Sequence, residues 1–348
     1  SGAVRLNLGI DDPMGVGRLD GRLSVDDMRL NPYRPLVADV KTLEGNFGGN
    51  VDITGNRDQP RLDGRLELAG LQAAGLGLPL TVKDGRVTVN LAGDRADLDG
   101  FLASEQGRLE IDGDAAWPSV DAWQVTLDVQ GTDEPIQASL PGFGQLRLAP
   151  DLAIRANPDR LRVRGDVRIP WARLEVGQVP ASAQSVSPDE VIVTREEAEA
   201  QEAAQAAGES TAEAMSEAGM AMDVRITLAL GPDMRLSAYG LETGLAGNLE
   251  VRQEGGPVQI FGDVNLEDGR FRAFAQDLII REGILYFSGP PGEPLLDFEA
   301  IRNPDSTEDD VIAGIQVSGP ASSPSLEIFS EPAMDESRAL SYVLRGRA

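Results

Sequence analysis

Aliphatic and polar residues alternate in short segments along most of the chain, and each segment is closed by Gly, Asp or Asn. Leu23-Ser24-Val25, Val51-Asp52-Ile53, Leu66-Glu67-Leu68, Val87-Thr88-Val89-Asn90-Leu91, Leu109-Glu110-Ile111, Val125-Thr126-Leu127-Asp128-Val129 and Leu161-Arg162-Val163-Arg164 carry the pattern through the first part. Val224-Arg225-Ile226-Thr227-Leu228-Ala229-Leu230, Leu249-Glu250-Val251, Val264-Asn265-Leu266 and Leu326-Glu327-Ile328 continue it. On a strand, period two gathers the aliphatic residues on one face and the polar ones on the other; on a helix the same spacing scatters them. The pattern therefore predicts half-buried strands. Asp63-Gly64, Asp84-Gly85 and Asp268-Gly269 have hairpin-turn chemistry and are expected as turns. Gly48-Gly49-Asn50-Val51-Asp52, which has a passing likeness to a calcium-binding nonapeptide, also reads as a turn because it stands alone.

Gly-Arg followed by an aliphatic residue recurs at Gly21-Arg22-Leu23, Gly64-Arg65-Leu66, Gly85-Arg86-Val87, Gly107-Arg108-Leu109 and Gly269-Arg270-Phe271. Hairpins repeated in series give stacked sandwiches or one continuous sheet. Hydrophobic residues are 41% of the chain but aromatics only 5%, too few for the bulky centre of a sandwich. The expected fold is all-β: an elongated, strongly curved, U-shaped or taco-like sheet with an aliphatic interior groove. About twenty strands at ~4.8 Å spacing would extend close to 100 Å.

Three regions are expected: repeated hairpins over 1–180, an acidic insertion over 181–222, and a C-terminal β domain over 223–348. The insertion has nine acidic residues and one basic residue. Thr194 with Glu197, and Ser210 with Glu213, have capping-box spacing, but no stripe of large apolar residues follows either pair. It reads as a solvated, partly disordered segment, or as a helical cover with Met215, Met220 and Met222 facing something greasy. After Pro332 a short helix is expected from Met334 to Tyr342, with Leu340, Val343 and Leu344 as its apolar face and Gly346 as its stop. It is either a plug on the last strands or a docking element.

Charge narrows the chemistry. The chain has 57 acidic residues against 31 Lys and Arg, a net −26, the wrong sign for binding phosphate backbones of nucleic acid. It has no Cys and no His, which removes disulfides, thiolate and imidazole metal sites, and imidazole-dependent triads. There is no P-loop, and Gly15-Val16-Gly17 lacks the third glycine of a dinucleotide fingerprint. Paired acids at Asp26-Asp27 and Asp309-Asp310 could in principle serve a glycosidase, but adjacent acids arise by chance in so acidic a chain. The sequence is therefore read as a non-enzyme with no cofactor and no metal. No apolar run reaches the roughly 18 residues of a membrane span, and any membrane anchor is expected upstream of Ser1. What remains is the aliphatic face, which either lines an open trough able to shelter acyl chains at about 0.8 kcal/mol per buried methylene or closes as an ordinary core.

Residues 245–348 resemble the C-terminal domain of the TamB family, part of the AsmA-like group. The phrases are Gly247-Asn248-Leu249-Glu250-Val251, Ile260-Phe261-Gly262-Asp263-Val264-Asn265-Leu266, Asp268-Gly269-Arg270-Phe271, Ile279-Ile280-Arg281-Glu282-Gly283-Ile284-Leu285-Tyr286-Phe287 and Pro294-Leu295-Leu296-Asp297-Phe298-Glu299-Ala300. They continue with Val317-Ser318-Gly319, Pro324-Ser325-Leu326-Glu327-Ile328, Ser330-Glu331-Pro332-Ala333-Met334 and Leu340-Ser341-Tyr342-Val343-Leu344-Arg345-Gly346-Arg347. Residues 1–180 look like preceding repeats of the same family, and the 181–222 insertion departs from it. The resemblance implies a Gram-negative periplasmic protein anchored in the inner membrane. It also implies movement of phospholipid towards the outer membrane along the groove, or, as the alternative, work with the outer-membrane barrel protein TamA in barrel assembly. Where pattern and resemblance coincide, the groove is assigned to Val224, Ile226, Leu228 and Leu230, then to Leu249, Val251, Ile260, Val264 and Leu266. Phe271, Leu285, Phe287, Ile315, Val317, Leu326 and Ile328 complete it. Partner contact is assigned to Leu340, Tyr342, Val343 and Leu344.

Overall fold

The computed structural model describes residues 2–12, 14–36, 40–75, 80–140, 143–176, 219–273 and 276–347. The insertion expected at 181–222, with its capping boxes and Met215, lies outside them except at its end, where Ala221 and Met222 already belong to a strand. Among the described residues the fold is all-β, as the alternation predicts, with one α-helix near the C-terminus, where the stretch after Pro332 leads one to expect it. Its strands are β1 (Ala3–Asp11), β2 (Arg18–Arg29), β3 (Val40–Gly55), β4 (Pro60–Gly75), β5 (Asp84–Gly93), β6 (Arg95–Ala103), β7 (Arg108–Ala116), β8 (Gln124–Gly131) and β9 (Ile136–Leu140). There follow β10 (Gly144–Asn157), β11 (Arg160–Val176), β12 (Ala221–Ala238), β13 (Leu241–Glu254), β14 (Gln259–Ala273), β15 (Gln276–Gly289), β16 (Leu295–Arg302), β17 (Ile312–Pro320), β18 (Ser325–Glu331) and the helix α1 (Glu336–Arg345).

The chain divides into two compact units, and β10, β11 and β12 each contribute residues to both. In the first unit, β1 to β8 form an antiparallel meander in chain order, and β8 pairs with β10. In the second, β13 to β18 form another meander. Within each meander every strand pairs with its sequence neighbour, so that pairing is local and loop closure costs little.

The expected turns are not turns. Asp63-Gly64 sits inside β4 opposite Asp52 and Val51, Gly48 to Asp52 lies within β3, Asp84-Gly85 opens β5, and Asp268-Gly269 lies within β14. The same tolerance of unusual φ that suits a turn also suits a bulge or a close backbone crossing inside a strand. Gly64 has φ +151°, and a Cβ there would lie 2.0 Å from the Asn50 carbonyl oxygen. Asp268, at φ 49°, marks a bulge: the pairs Leu245–Leu266 and Gly244–Glu267 give way to Glu242–Arg270 and Leu241–Phe271. Strand β15 gains a matching extra residue at Arg281, between the pairs Ile280–Ala300 and Glu282–Glu299. A one-residue slip alone would turn the aliphatic set to the other face. With both bulges Phe271 stays on the side of Phe298, and the two rings meet edge to face at 5.4 Å.

Helix α1 starts two residues later than expected because Asp335 caps it, its carboxylate accepting from the Arg338 N–H at 3.1 Å. Gly346 ends it in the left-handed conformation, φ 78°, as expected. Ala339, Tyr342 and Val343 are buried. Arg302 donates to the Val343 carbonyl at 2.7 Å, and the Tyr342 hydroxyl donates to Asp309 at 3.1 Å. One of the paired acids thus holds the helix in place. Of the other pair, Asp26 bonds Arg5 across β1 and β2, and Asp27 occupies a bulge at φ 46°.

Candidate functional site

Directly opposed residues of antiparallel strands share a face, so the registers show which side chains line up. One row in the first unit runs Val4, Val25, Gly49, Leu66, Val89, Leu98, Gly113, Leu127, Ile154. A second runs Leu6, Leu23, Val51, Gly64, Leu91, Ala96, Ala115, Val125, Ala156. A third joins Phe47, Leu68, Val87, Gly100, Ile111, Val129 and Leu152. No polar side chain interrupts any of them. At ~4.8 Å per strand the first row covers about 40 Å measured along the sheet. The opposite face is the reverse: Arg5, Ser24, Asn50, Arg65, Asn90, Asp97, Asp114, Thr126 and Arg155 form one row there.

The apolar face of the first unit is only partly covered. Leu66, Val89, Leu98, Ile111, Leu127 and Ile154 are half-buried, and on β1 Leu6 is 62% exposed. A solitary exposed aliphatic residue is ordinary, but a contiguous apolar patch of this width marks a binding surface. Glycines within the rows leave space for their neighbours. A Cβ at Gly113 would lie 2.5 Å from Leu127 Cδ2.

The second unit uses the same alternation differently. Leu249, Val264, Leu266, Leu285, Ile315 and Val317 are buried, with Ile315 at 0% and Val264 at 2% exposure. They share a face with Phe298 and Ala300, also buried. Leu266 and Phe298 close over Gly283, where a Cβ would meet them at 2.8 and 2.9 Å. Val251, Ile260, Phe271, Phe287 and Ile328 are half-buried on that face, and Leu326 is 50% exposed. Val224, Ile226, Leu228 and Leu230 occupy alternate, half-buried positions of β12. Of the residues assigned to partner contact, Tyr342 and Val343 turn inward while Leu340 and Leu344 stay half-buried. The rows before Val224 are not among the assigned residues, although the same alternation runs through them.

Ion pairs organise the polar side. Arg164 of β11 grips both carboxylate oxygens of Asp223 of β12 at 2.7 and 2.6 Å and donates to the Asp223 carbonyl. Arg173 holds Asp233 in the same way. The Arg164 hydrogen bond pulls the Asp223 carboxyl below its usual range against the opposing cost of burial, helped by the charges of Arg164, Arg162 and Arg160. A depressed folded pKa stabilises above the unfolded value of about 3.9, and the gain is lost as pH falls through the folded value. Asp223→Asn is therefore expected to cost about 1.5–3 kcal/mol at pH 7, with the gap between parent and variant closing below about pH 4. Urea midpoints at pH 7 and pH 3 check this; a gap unchanged at pH 3 would contradict it.

Among the described residues there is no cluster of acids suited to a metal ion and no helix long and apolar enough to cross a membrane. With the geometry in hand, the likeness to known proteins is extensive. The family model described as the TamB C-terminal domain matches residues 94–348, and that described as the TamB N-terminal domain matches residues 1–68. The translocation and assembly module subunit TamB of Haemophilus influenzae is 35% identical over 337 residues, 95% of this chain and 25% of that protein. The chain thus spans about a quarter of that relative's length. It belongs to the TamB family.

Proposed function

We propose that the open apolar face of the first unit carries the acyl chains of phospholipid through the periplasm of a Gram-negative cell, as one stretch of a longer protein anchored upstream in the inner membrane. The observation that supports this is the uninterrupted rows of aliphatic residues and glycines across β1 to β8 and β10, in which Val25, Val51 and Ala96 are buried while Leu66, Val89, Leu98, Leu127 and Ile154 are half-buried and Val4 and Leu6 exposed. Acyl chains laid on that face would leave water along their length, at about 0.8 kcal/mol per methylene. A uniform surface offers no deep trap, so chains can slide, and no catalytic group is needed. The test is mass spectrometry of an organic extract from the chain purified without detergent. Phospholipid at a fixed ratio to protein is expected; a folded, monodisperse, lipid-free protein would refute the reading.

A second reading is favoured by α1, which is fixed at both ends yet leaves Leu340 and Leu344 partly open. We propose that this edge contacts a TamA-like outer-membrane barrel protein within a translocation and assembly module. Leu340→Ser with Leu344→Ser is expected to abolish co-purification with that barrel while the helix stays folded. Retained co-purification would count against the contact.

A further inference from the structure

Behind the apolar rows, on the polar side of the first unit, the charge changes sign locally. In a chain of net charge −26, a hollow of about 400 Å³ is walled by Arg155, Arg160 and Arg162, with Asp159 as its one carboxylate. Gln124, Thr126 and Asn157 supply further hydrogen-bonding groups. The turn that sets it is pinned: Asn157 accepts from the backbone N–H of Asp159 at 3.0 Å and of Arg160 at 2.8 Å. Among the described residues neither Arg155 nor Arg160 makes an ion pair, and Arg162 reaches Asp223 only at 3.5 Å, a carboxylate already gripped by Arg164. All three side chains are exposed.

Guanidinium groups facing one hollow repel each other, and their planar forks match the oxygens of phosphate in pairs. We infer that this hollow binds a phosphate group, with Arg155, Arg160 and Arg162 as the charged contacts and Thr126 and Gln124 completing the shell. The group can come from the phosphodiester of a lipid headgroup or from free phosphate. The inference does not rest on the acyl-chain reading, since it concerns the other face of the sheet.

Calorimetric titration of the whole chain with glycerophosphoglycerol, a headgroup diester without acyl chains, and separately with inorganic phosphate tests it. At least one probe is expected to bind, more weakly as salt rises, and about tenfold or more weakly to the Arg155→Gln, Arg160→Gln double variant. Both substitutions are at exposed positions, so thermal melting should be unchanged. Tighter binding of the diester supports the hollow with the headgroup as source, and tighter binding of inorganic phosphate supports it with the free anion as source. No binding by the parent, or equal binding by the folded double variant, would overturn it. Leu98→Glu retains phosphate binding, which separates failure here from failure of the acyl-chain reading.

Discussion

Leu98→Glu is expected, on the acyl-chain reading proposed above, to yield a folded chain that does not carry lipid. Leu98 stands in the middle of the first apolar row, between Val89 and Gly113, and its side chain is half open to water. A carboxylate there keeps most of its hydration while the face is empty, so the loss of fold stability should be about 1 kcal/mol. Once an acyl chain covers the row, the same carboxylate must be desolvated without a partner, at several kcal/mol. Lipid retained after purification should fall by about a hundredfold or more, the equivalent of roughly 2.7 kcal/mol. Asp99→Asn, one residue further on the polar face, should change nothing. The check is extractable phospholipid per chain beside a circular dichroism spectrum. Unchanged lipid in Leu98→Glu would mean that chains do not lie on this face.

Ile315→Glu should do the opposite and unfold the second unit. Ile315 is fully enclosed, opposite Ala300 and Ile328, so the charge has neither water nor a partner. The milder Ile315→Ala removes three carbons from a packed site and is expected to cost about 2–5 kcal/mol. Hydrogen exchange reads the outcome strand by strand. Protection should be lost in β13 to β18 in the glutamate variant, and β2 to β8 should be the last to follow. A stable Ile315→Glu protein with native exchange in β13 to β18 would mean that this face is open to solvent, contrary to its burial.

These two variants separate what the sequence could say from what it could not. Alternation in Val87 to Leu91 or Leu109 to Ile111 is enough to predict strands and to sort their faces, because period two is a property of the backbone alone. It cannot say whether a sorted aliphatic face meets water, ligand or other side chains. Leu98 and Leu285 look alike in sequence, yet one is half open and the other buried. Asp-Gly pairs misled for a related reason. They report a residue that accepts unusual φ, and whether the chain then reverses, as in a hairpin, or merely bulges, as at Asp268, depends on the neighbouring strands. The resemblance from Leu245 onward pointed to the right family, but it could not tell which of the assigned residues are enclosed, as Leu249, Val264, Leu266, Leu285, Ile315 and Val317 are, and which keep part of their surface open, as Val251, Phe287 and Leu326 do. Arg155 and Arg162 are seven positions apart, and only the turn between β10 and β11 puts them around one hollow.

The proposed function requires lipid to lie on one face of β1 to β8 and not on the other. A photo-reactive amino acid placed in turn at Asp97, Leu98, Asp99 and Leu102 of β6, illuminated in cells and followed by mass spectrometry of the adducts, tests it most directly. The account predicts phospholipid adducts at the half-buried Leu98 and Leu102 and none at Asp97 and Asp99. Adducts at all four positions, or at none, would contradict it.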